Sequence, residues 1–356
     1  MTAEVAVVPV PSSLGRISTA VEQRLAALFD EERGRWGDLD PVLVEPLDTL
    51  RTFVLSGGKR LRPAFCHWGF VGAGGDPDDP AIVDAGAAFE LLQTFALVHD
   101  DVMDGSAVRR GARTAHLAYG DRHQESSWRG EERRFGEGVA ILLGDLAHVY
   151  ADRLVPRPNR DAQAVWDELR TELNVGQYLD LVGTASGEVD LPAARRIARY
   201  KSGKYTIERP LHLGAALAGR FGPLAEPLSR YGDPLGEAFQ LRDDLLGAFG
   251  ESAVTGKPVG DDLREGKPTP LLTLALAAAD ADQAAVLAMV GDPALGESQV
   301  TAIQQVLRDT GAVAQVEASI EALATRAIGA LETIDVTDDA RAELDALARF
   351  VAWRDA

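Results

Sequence analysis

Apolar residues recur along this chain at helical rather than strand spacing. Between Thr19 and Phe29, the residues Val21, Leu25 and Leu28 stand at i, i+4 and i+7, the period of one helix face. Ala- and Leu-rich stretches repeat the pattern at residues 81–99, 138–154, 162–182, 192–219, 223–247, 270–290, 296–309, 312–332 and 338–353. Two-residue alternation over a strand's length is nearly absent, and Val, Ile and Thr are not gathered as strands require. The pattern predicts an all-α protein. Pro77 and Pro80 precede one stretch, Pro156 and Pro158 follow another, and Asp190 with Pro192 has the form of an N-cap and an early-turn proline. Residues 1–14, without periodicity, read as a flexible arm, and the mixed-charge residues 121–137 as a long exposed connection. No low-complexity linker interrupts the middle of the chain, so residues 15–356 are expected to form a single helical domain.

Composition narrows the function. Among 356 residues, 36 Lys and Arg stand against 55 Asp and Glu, a formal charge of −19. Such a chain gains no counterion-release attraction to nucleic acid, and it lacks the polybasic segment that anionic membranes attract. A hydrophobic share of 46% excludes general disorder. The single cysteine, Cys66, has no internal disulfide partner and fits a reducing compartment. With no leader-like N-terminal pattern and no run of about 18 uncharged apolar residues, no transmembrane helix is expected and a cytoplasmic protein is.

Chemistry enters with the carboxylates. Residues 97–104 read Leu-Val-His-Asp-Asp-Val-Met-Asp, so Asp100 and Asp104 lie about 40° apart on a helix, with Asp101 flanking them. Crowded carboxylates on an otherwise apolar helix repel one another, and a cation should offset them. Oxygen-only ligands suit Mg²⁺, which takes one or two carboxylates and completes its octahedron with water and substrate phosphate. Read alone, the cluster fits a solvated acidic helix end better than a metal site. A second pair, Asp243 and Asp244, follows in Phe239-Gln-Leu-Arg-Asp-Asp-Leu-Leu-Gly247, with Gln240 one turn earlier, and two such helices facing each other would hold metal between them. Basic residues stand where a phosphate needs them: Gly58, Lys59 and Arg62 in Ser56-Gly-Gly-Lys-Arg-Leu-Arg-Pro63, then Arg109 and Arg110, then Lys201, Lys204, Lys257 and Lys267. Each also fits a solvated surface charge. Gln93, seven residues before Asp100, shares its helix face; the alternative is a buried amide bonded to backbone.

The order GGKRLRP, HDDVMDGSAVRRG, KSG, FQLRDDLL, VTGKPVGDD and EGKPT resembles the trans-prenyltransferases, the polyprenyl diphosphate synthase family, and within it the short-chain farnesyl and geranylgeranyl diphosphate synthases. By motif the resemblance covers roughly Leu50 to Leu276. It implies an all-α fold around a large central cavity, a homodimer, and two or three Mg²⁺ ions per active site. By the same resemblance, Asp100, Asp101, Asp104, Asp243 and Asp244 bind metal. Lys59, Arg62, Gln93 and Arg110 hold isopentenyl diphosphate, and Arg109, Lys201, Ser202, Gln240, Lys257 and Lys267 stand at the allylic diphosphate. Phe95 and Ala96, five and four residues before Asp100, match the pattern of synthases that stop near C20; two aromatics there would resemble C15 enzymes. Phe95 lies about 140° from Asp100 on the helix wheel, which leaves ordinary core packing open.

Three positions depart from the family pattern: Gly247 replaces the third Asp of the second DDxxD motif, Ser202 stands where Thr is common, and Pro268 follows the last Gly-Lys. The resemblance implies an allylic C–O bond that ionises and a cation captured by isopentenyl diphosphate. Competing readings are a same-fold enzyme prenylating another acceptor such as indole, a class I terpene cyclase, and a non-catalytic subunit of a heteromeric synthase. The basic set Lys59, Arg62 and Arg110 favours a diphosphate acceptor over indole. A cyclase would not need that second diphosphate site. Gly247 is the one feature that encourages the non-catalytic reading.

Overall fold

The computed structural model describes residues 9–187, 190–250 and 259–354. Among them the protein is all-α apart from a two-residue hairpin, as the spacing predicts. The chain divides into two compact units, one of residues 12–67 and 76–158, the other of residues 68–75 and 159 onward together with residues 9–11.

The first unit, here the α4 unit, contains α1 (Ser12–Gly37), α2 (Val44–Leu55), α3 (Leu61–Gly72) as far as His67, α4 (Pro80–Asp104), the strands β1 (Val108–Arg109) and β2 (Ala112–Arg113), α5 (Ala115–Glu125) and α6 (Glu132–Leu154). Its centre is α4, 25 residues long, which packs most extensively against α6 and also against α1. Asp79 starts it, its carboxylate accepting from the Ala81 amide at 2.9 Å ahead of Pro80, and Gly105 in the left-handed region ends it. By length and composition α4 is long and apolar enough to cross a membrane, although Asp84 and Glu90 interrupt its apolar run. Its most apolar 18-residue window is 61% buried, as in the core helix of a soluble protein.

The second unit, here the α10 unit, holds α7 (Arg160–Ser186), α8 (Leu191–Ala198), a π-helix (Arg199–Glu208), α9 (Arg209–Leu217), α10 (Phe221–Phe249), α11 (Asp261–Glu265), α12 (Pro270–Ala278), α13 (Ala281–Leu287), α14 (Glu297–Asp309), α15 (Ala312–Leu331) and α16 (Asp338–Trp353). Leu241, Leu245 and Ala248, at i, i+4 and i+7, bury one face of α10 against α11, α12, α14 and α15. That leaves Gln240, Asp243, Asp244 and Gly247 on other faces of the same helix.

Several boundaries differ from the sequence pattern. Ser12–Leu14, read as arm, are helical, with Ser13 and Leu14 buried. The connection expected over 121–137 shrinks to 126–131, because α5 buries His116, Tyr119, Gly120 and His123. That face has helical period with Ala115 as its one buried aliphatic residue. His123, Trp128 and Phe135 close it, with ring centroids 5.2–6.0 Å apart. The stretch 270–290 breaks at Asp280, whose carboxylate accepts from the Gln283 amide at 2.9 Å while the Gln283 side chain accepts from the Asp280 amide at 3.0 Å.

Candidate active site

In the α4 unit the first acidic array is met by a hairpin. Arg110 and Gly111, both at positive φ (52° and 75°), form the two-residue turn between β1 and β2, and the turn folds Arg109 back onto α4. Arg109 Nε and Nη2 donate to Asp101 Oδ1 at 2.8 and 2.5 Å, and Nη2 lies 3.8 Å from Asp100 Oδ2. Asp101 is buried, 1% exposed, while Asp100 and Asp104 are half-buried. Arg109 is therefore one cation that offsets this cluster.

Arginines crowd beside it. Gly58, at φ +125°, has no Cβ where the Arg110 guanidinium passes; one placed there would stand 3.3 Å from Arg110 Nη2. Arg110 Nη1 reaches Ser56 Oγ at 3.4 Å. Burial pushes the Arg110 pKa below its ordinary value, and repulsion from Arg60, Arg109 and Arg62 adds to this while Glu90 opposes it. Within the Lys59-Arg60-Leu61-Arg62 run, Arg60 is turned inward: it is buried, ion-paired to Glu90 of α4 and to Glu22 of α1, and donates to the Val54 carbonyl at 2.9 Å. It anchors the loop, with Lys59 left exposed and Arg62 half-buried. A cavity of about 60 Å³ lies between Arg109 and Arg110 on one side and Phe53, Thr94 and Leu97 on the other. Gln93 and Ala96 are half-buried on α4. The Phe95 ring packs between two imidazoles, 4.8 Å from His99 and 4.9 Å from His148 of α6, in keeping with its direction on the wheel.

In the α10 unit, Gln240 Nε2 donates to Asp244 Oδ1 at 2.8 Å. Asp244 is 5% exposed, and its Oδ2 is buried with no hydrogen-bond partner. Burial, with the negative charges of Asp262 and Asp243, pushes this carboxyl up to about 8 against the help of Gln240 and Lys267. Asp243 is half-buried and ion-paired to Arg354, whose Nη1 donates to the Val351 carbonyl at 2.8 Å.

Lys201 and Ser202 sit, half-buried, in the π-helix, a form that recurs at functional sites. The Lys201 backbone lies directly against Gly176 of α7, where any side chain would collide with it. Lys201 Nζ donates to buried Asp180 Oδ2 at 2.6 Å. Lys204, a phosphate candidate by sequence, is committed elsewhere: it is buried, 2.8 Å from Glu172 Oε1 and 3.2 Å from Glu208 Oε2. Arg209 donates to both Glu172 oxygens at 2.6 and 2.7 Å. Lys267 Nζ lies 2.5 Å from Glu265 and 4.0 Å from Asp262. Lys257 lies outside the described residues.

Sequence reasoning passed over Arg60, Asp180, Asp262 and Arg354. Asp180 had a signal, an acid at i+7 on the otherwise small and apolar stripe of Leu173, Gly176 and Gly183. Arg354 had none, since nothing in the last helix repeats a motif.

An all-α chain with two aspartate-rich helices and clustered arginines has the character of a prenyl diphosphate synthase, a transferase. A family model described as polyprenyl synthetase matches residues 44–309. The geranylfarnesyl diphosphate synthase of Aeropyrum pernix is 31% identical over 300 residues, which cover 82% of this chain and 88% of that one. The (2E,6E)-farnesyl diphosphate synthase of Mycobacterium bovis is 30% identical over 308 residues, covering 84% and 80%. A Corynebacterium glutamicum geranylgeranyl pyrophosphate synthase, solved with isoprenyl diphosphate and magnesium, superimposes with a TM-score of 0.91 at 37% identity, over 96% of this chain and 99% of that one. This chain belongs to the polyprenyl synthetase family.

Proposed function

We propose that the protein condenses isopentenyl diphosphate with an allylic diphosphate, in a Mg²⁺-dependent reaction, to a trans prenyl diphosphate five carbons longer, with geranylgeranyl diphosphate (C20) as the end product in preference to farnesyl diphosphate (C15). The observation that carries the reading is the α4 unit's pairing of an acidic array, Asp100, Asp101 and Asp104, with a crowd of arginines around Arg110. Carboxylates suit a metal-bridged diphosphate, and arginines suit a diphosphate held by cations alone.

The residues fit a hard divalent cation: every candidate ligand is a carboxylate oxygen, and Asp244 Oδ2 is buried without a donor. Asp100, Asp101, Asp104, Asp243 and Asp244 would hold the metal, and the Corynebacterium glutamicum structure, which contains magnesium, supports that assignment. Bound there, Mg²⁺ supplies Lewis-acid stabilisation of a departing pyrophosphate.

The protein's own groups do the rest. Arg109, Lys201 and Lys257 neutralise charge growing on the leaving group as the allylic C–O electron pair moves onto pyrophosphate. Ser202, Gln240 and Lys267 orient that diphosphate. Lys59, Arg62, Arg110 and Gln93 hold isopentenyl diphosphate so that its double bond attacks the allylic carbon, and a proton then leaves to pyrophosphate. Such positioning is worth on the order of 7 kcal/mol or more. Phe95, with Ala96 beside it, acts as the floor that stops elongation.

The reading includes a cytoplasmic homodimer. Its support is the exposure of Ile141 (46%), Leu142 (68%) and Val149 (57%) on one face of α6, and the single buried thiol of Cys66. Chromatography of products from radiolabelled isopentenyl diphosphate with Mg²⁺ and each allylic primer tests the function. A C20 trans product is expected. Absence of incorporation, or transfer only to an acceptor such as indole, contradicts it.

A further inference from the structure

The second acidic array is short of one carboxylate, because Gly247 stands where the motif has its third Asp, and the fold places another carboxylate at that spot. A Cβ built on Gly247 would fall on the carboxylate of Asp262, closer than any non-bonded contact allows. An Asp at 247 and the present position of Asp262 therefore exclude each other, and Gly247 is what lets Asp262 approach α10.

We propose that Asp262 supplies the carboxylate missing from the DDxxG motif, so that Asp243, Asp244 and Asp262 act together on Mg²⁺, directly or through its water. The inference rests on the metal-dependent reading above.

Two further observations bear on it. Asp244 Oδ2 is buried and has no hydrogen-bond donor, so this array contains an acceptor that protein groups do not satisfy. Asp262 is held in place by its element. Its neighbour Leu263 is 5% exposed in the core beside Leu241 and Leu245, and the Leu263 carbonyl accepts from the Gly291 amide at 2.8 Å. Arg264 ties the same turn to the Leu295 and Val259 carbonyls at 3.1 and 2.7 Å.

The arrangement accounts for a chain that departs from DDxxD without losing the ligand count, and it removes the one feature that favoured a non-catalytic subunit. Calorimetric titration of the full chain with Mg²⁺ and inorganic pyrophosphate tests it, with thermal unfolding as the check on folding. Asp262→Asn is expected to weaken Mg²⁺-dependent pyrophosphate binding by about 10–100-fold, as loss of a metal-site carboxylate does, while metal-free binding of isopentenyl diphosphate is unchanged. Gly247→Asp alone brings two carboxylates into one space and should weaken binding likewise. The double variant Gly247→Asp with Asp262→Gly restores the third carboxylate from α10 and should recover at least tenfold of the loss. Asp262→Asn binding as tightly as the wild type overturns the inference alone, as does a folded double variant that stays as weak as Asp262→Asn. Wild-type protein with no Mg²⁺-dependent pyrophosphate binding sinks both the inference and the reading beneath it.

Discussion

The two acidic arrays solve the same electrostatic problem in opposite ways. On α4 the buried carboxylate, Asp101, is ion-paired to Arg109 from a hairpin that follows the helix immediately. On α10 the buried carboxylate, Asp244, accepts among the described residues from the Gln240 amide, with Lys267 helping at a distance, and two further acids press on it. The arginine at hand, Arg354, goes to the more exposed Asp243. The buried acid of one array is ion-paired; the buried acid of the other has no cation bonded to it among the described residues, and burial favours its protonated form up to about pH 8.

The largest effect should come from removing the ion-paired side. Asp100→Ala is expected to lower kcat about 10²–10³-fold, the scale of losing one preorganised electrostatic contact, while isopentenyl diphosphate binding is retained. Arg110→Gln should instead raise KM for isopentenyl diphosphate more than it lowers kcat. Identical kinetic signatures for the two variants would remove the distinction between metal-bridged and cation-held diphosphates.

Next in size is the support of the cationic side of the α10 unit. Glu172 is buried between Lys204 and Arg209, which hold its carboxyl below the usual range against the effect of burial. Glu172→Ala leaves those cations without their shared anion and should destabilise the fold by about 3–5 kcal/mol in denaturant unfolding. A change under about 1 kcal/mol would mean that the network does not hold the π-helix bearing Lys201.

The arrays should also differ in pH dependence. Asp244 has its native carboxyl raised from about 4 to about 8, so the metal-free native state binds a proton that the unfolded chain has released over that range. Stability from this group is therefore fully present at low pH and lost as pH rises toward 8, with a slope of up to about 1.4 kcal/mol per pH unit. Asp244→Asn should flatten that part of the profile for the metal-free protein. An unchanged profile would show that Asp244 is already ionised without metal. The smallest effect is on specificity: Phe95→Ala should shift products longer by about one five-carbon unit, seen by chromatography, and an unchanged distribution eliminates the ring as the floor.

Much of this was legible in the residues. Long aliphatic helices such as α4, α10 and α15 announce themselves because burial of Leu and Ala at helical period is a local signal. α5 did not, since its buried face is built mainly from His, Tyr and Gly, with Ala115 at its start. The acid pairs and the Arg109–Arg110 doublet were readable as charge and spacing. Their partners Asp180, Asp262 and Arg354 are 21, 18 and 111 residues from Lys201, Asp244 and Asp243, and only tertiary structure brings them together. Lys204 failed in the other direction: beside a glycine it looked available to phosphate, and the fold buries it between two glutamates.

The central claim is that these carboxylates and cations draw pyrophosphate from an allylic precursor with the help of Mg²⁺. It is tested most directly by counting pyrophosphate released against labelled isopentenyl diphosphate incorporated, with Mg²⁺ and after chelation. The account predicts one pyrophosphate per five-carbon unit and loss of both signals on chelation. Incorporation that continues in the chelated enzyme, or pyrophosphate release with no chain growth, would contradict it.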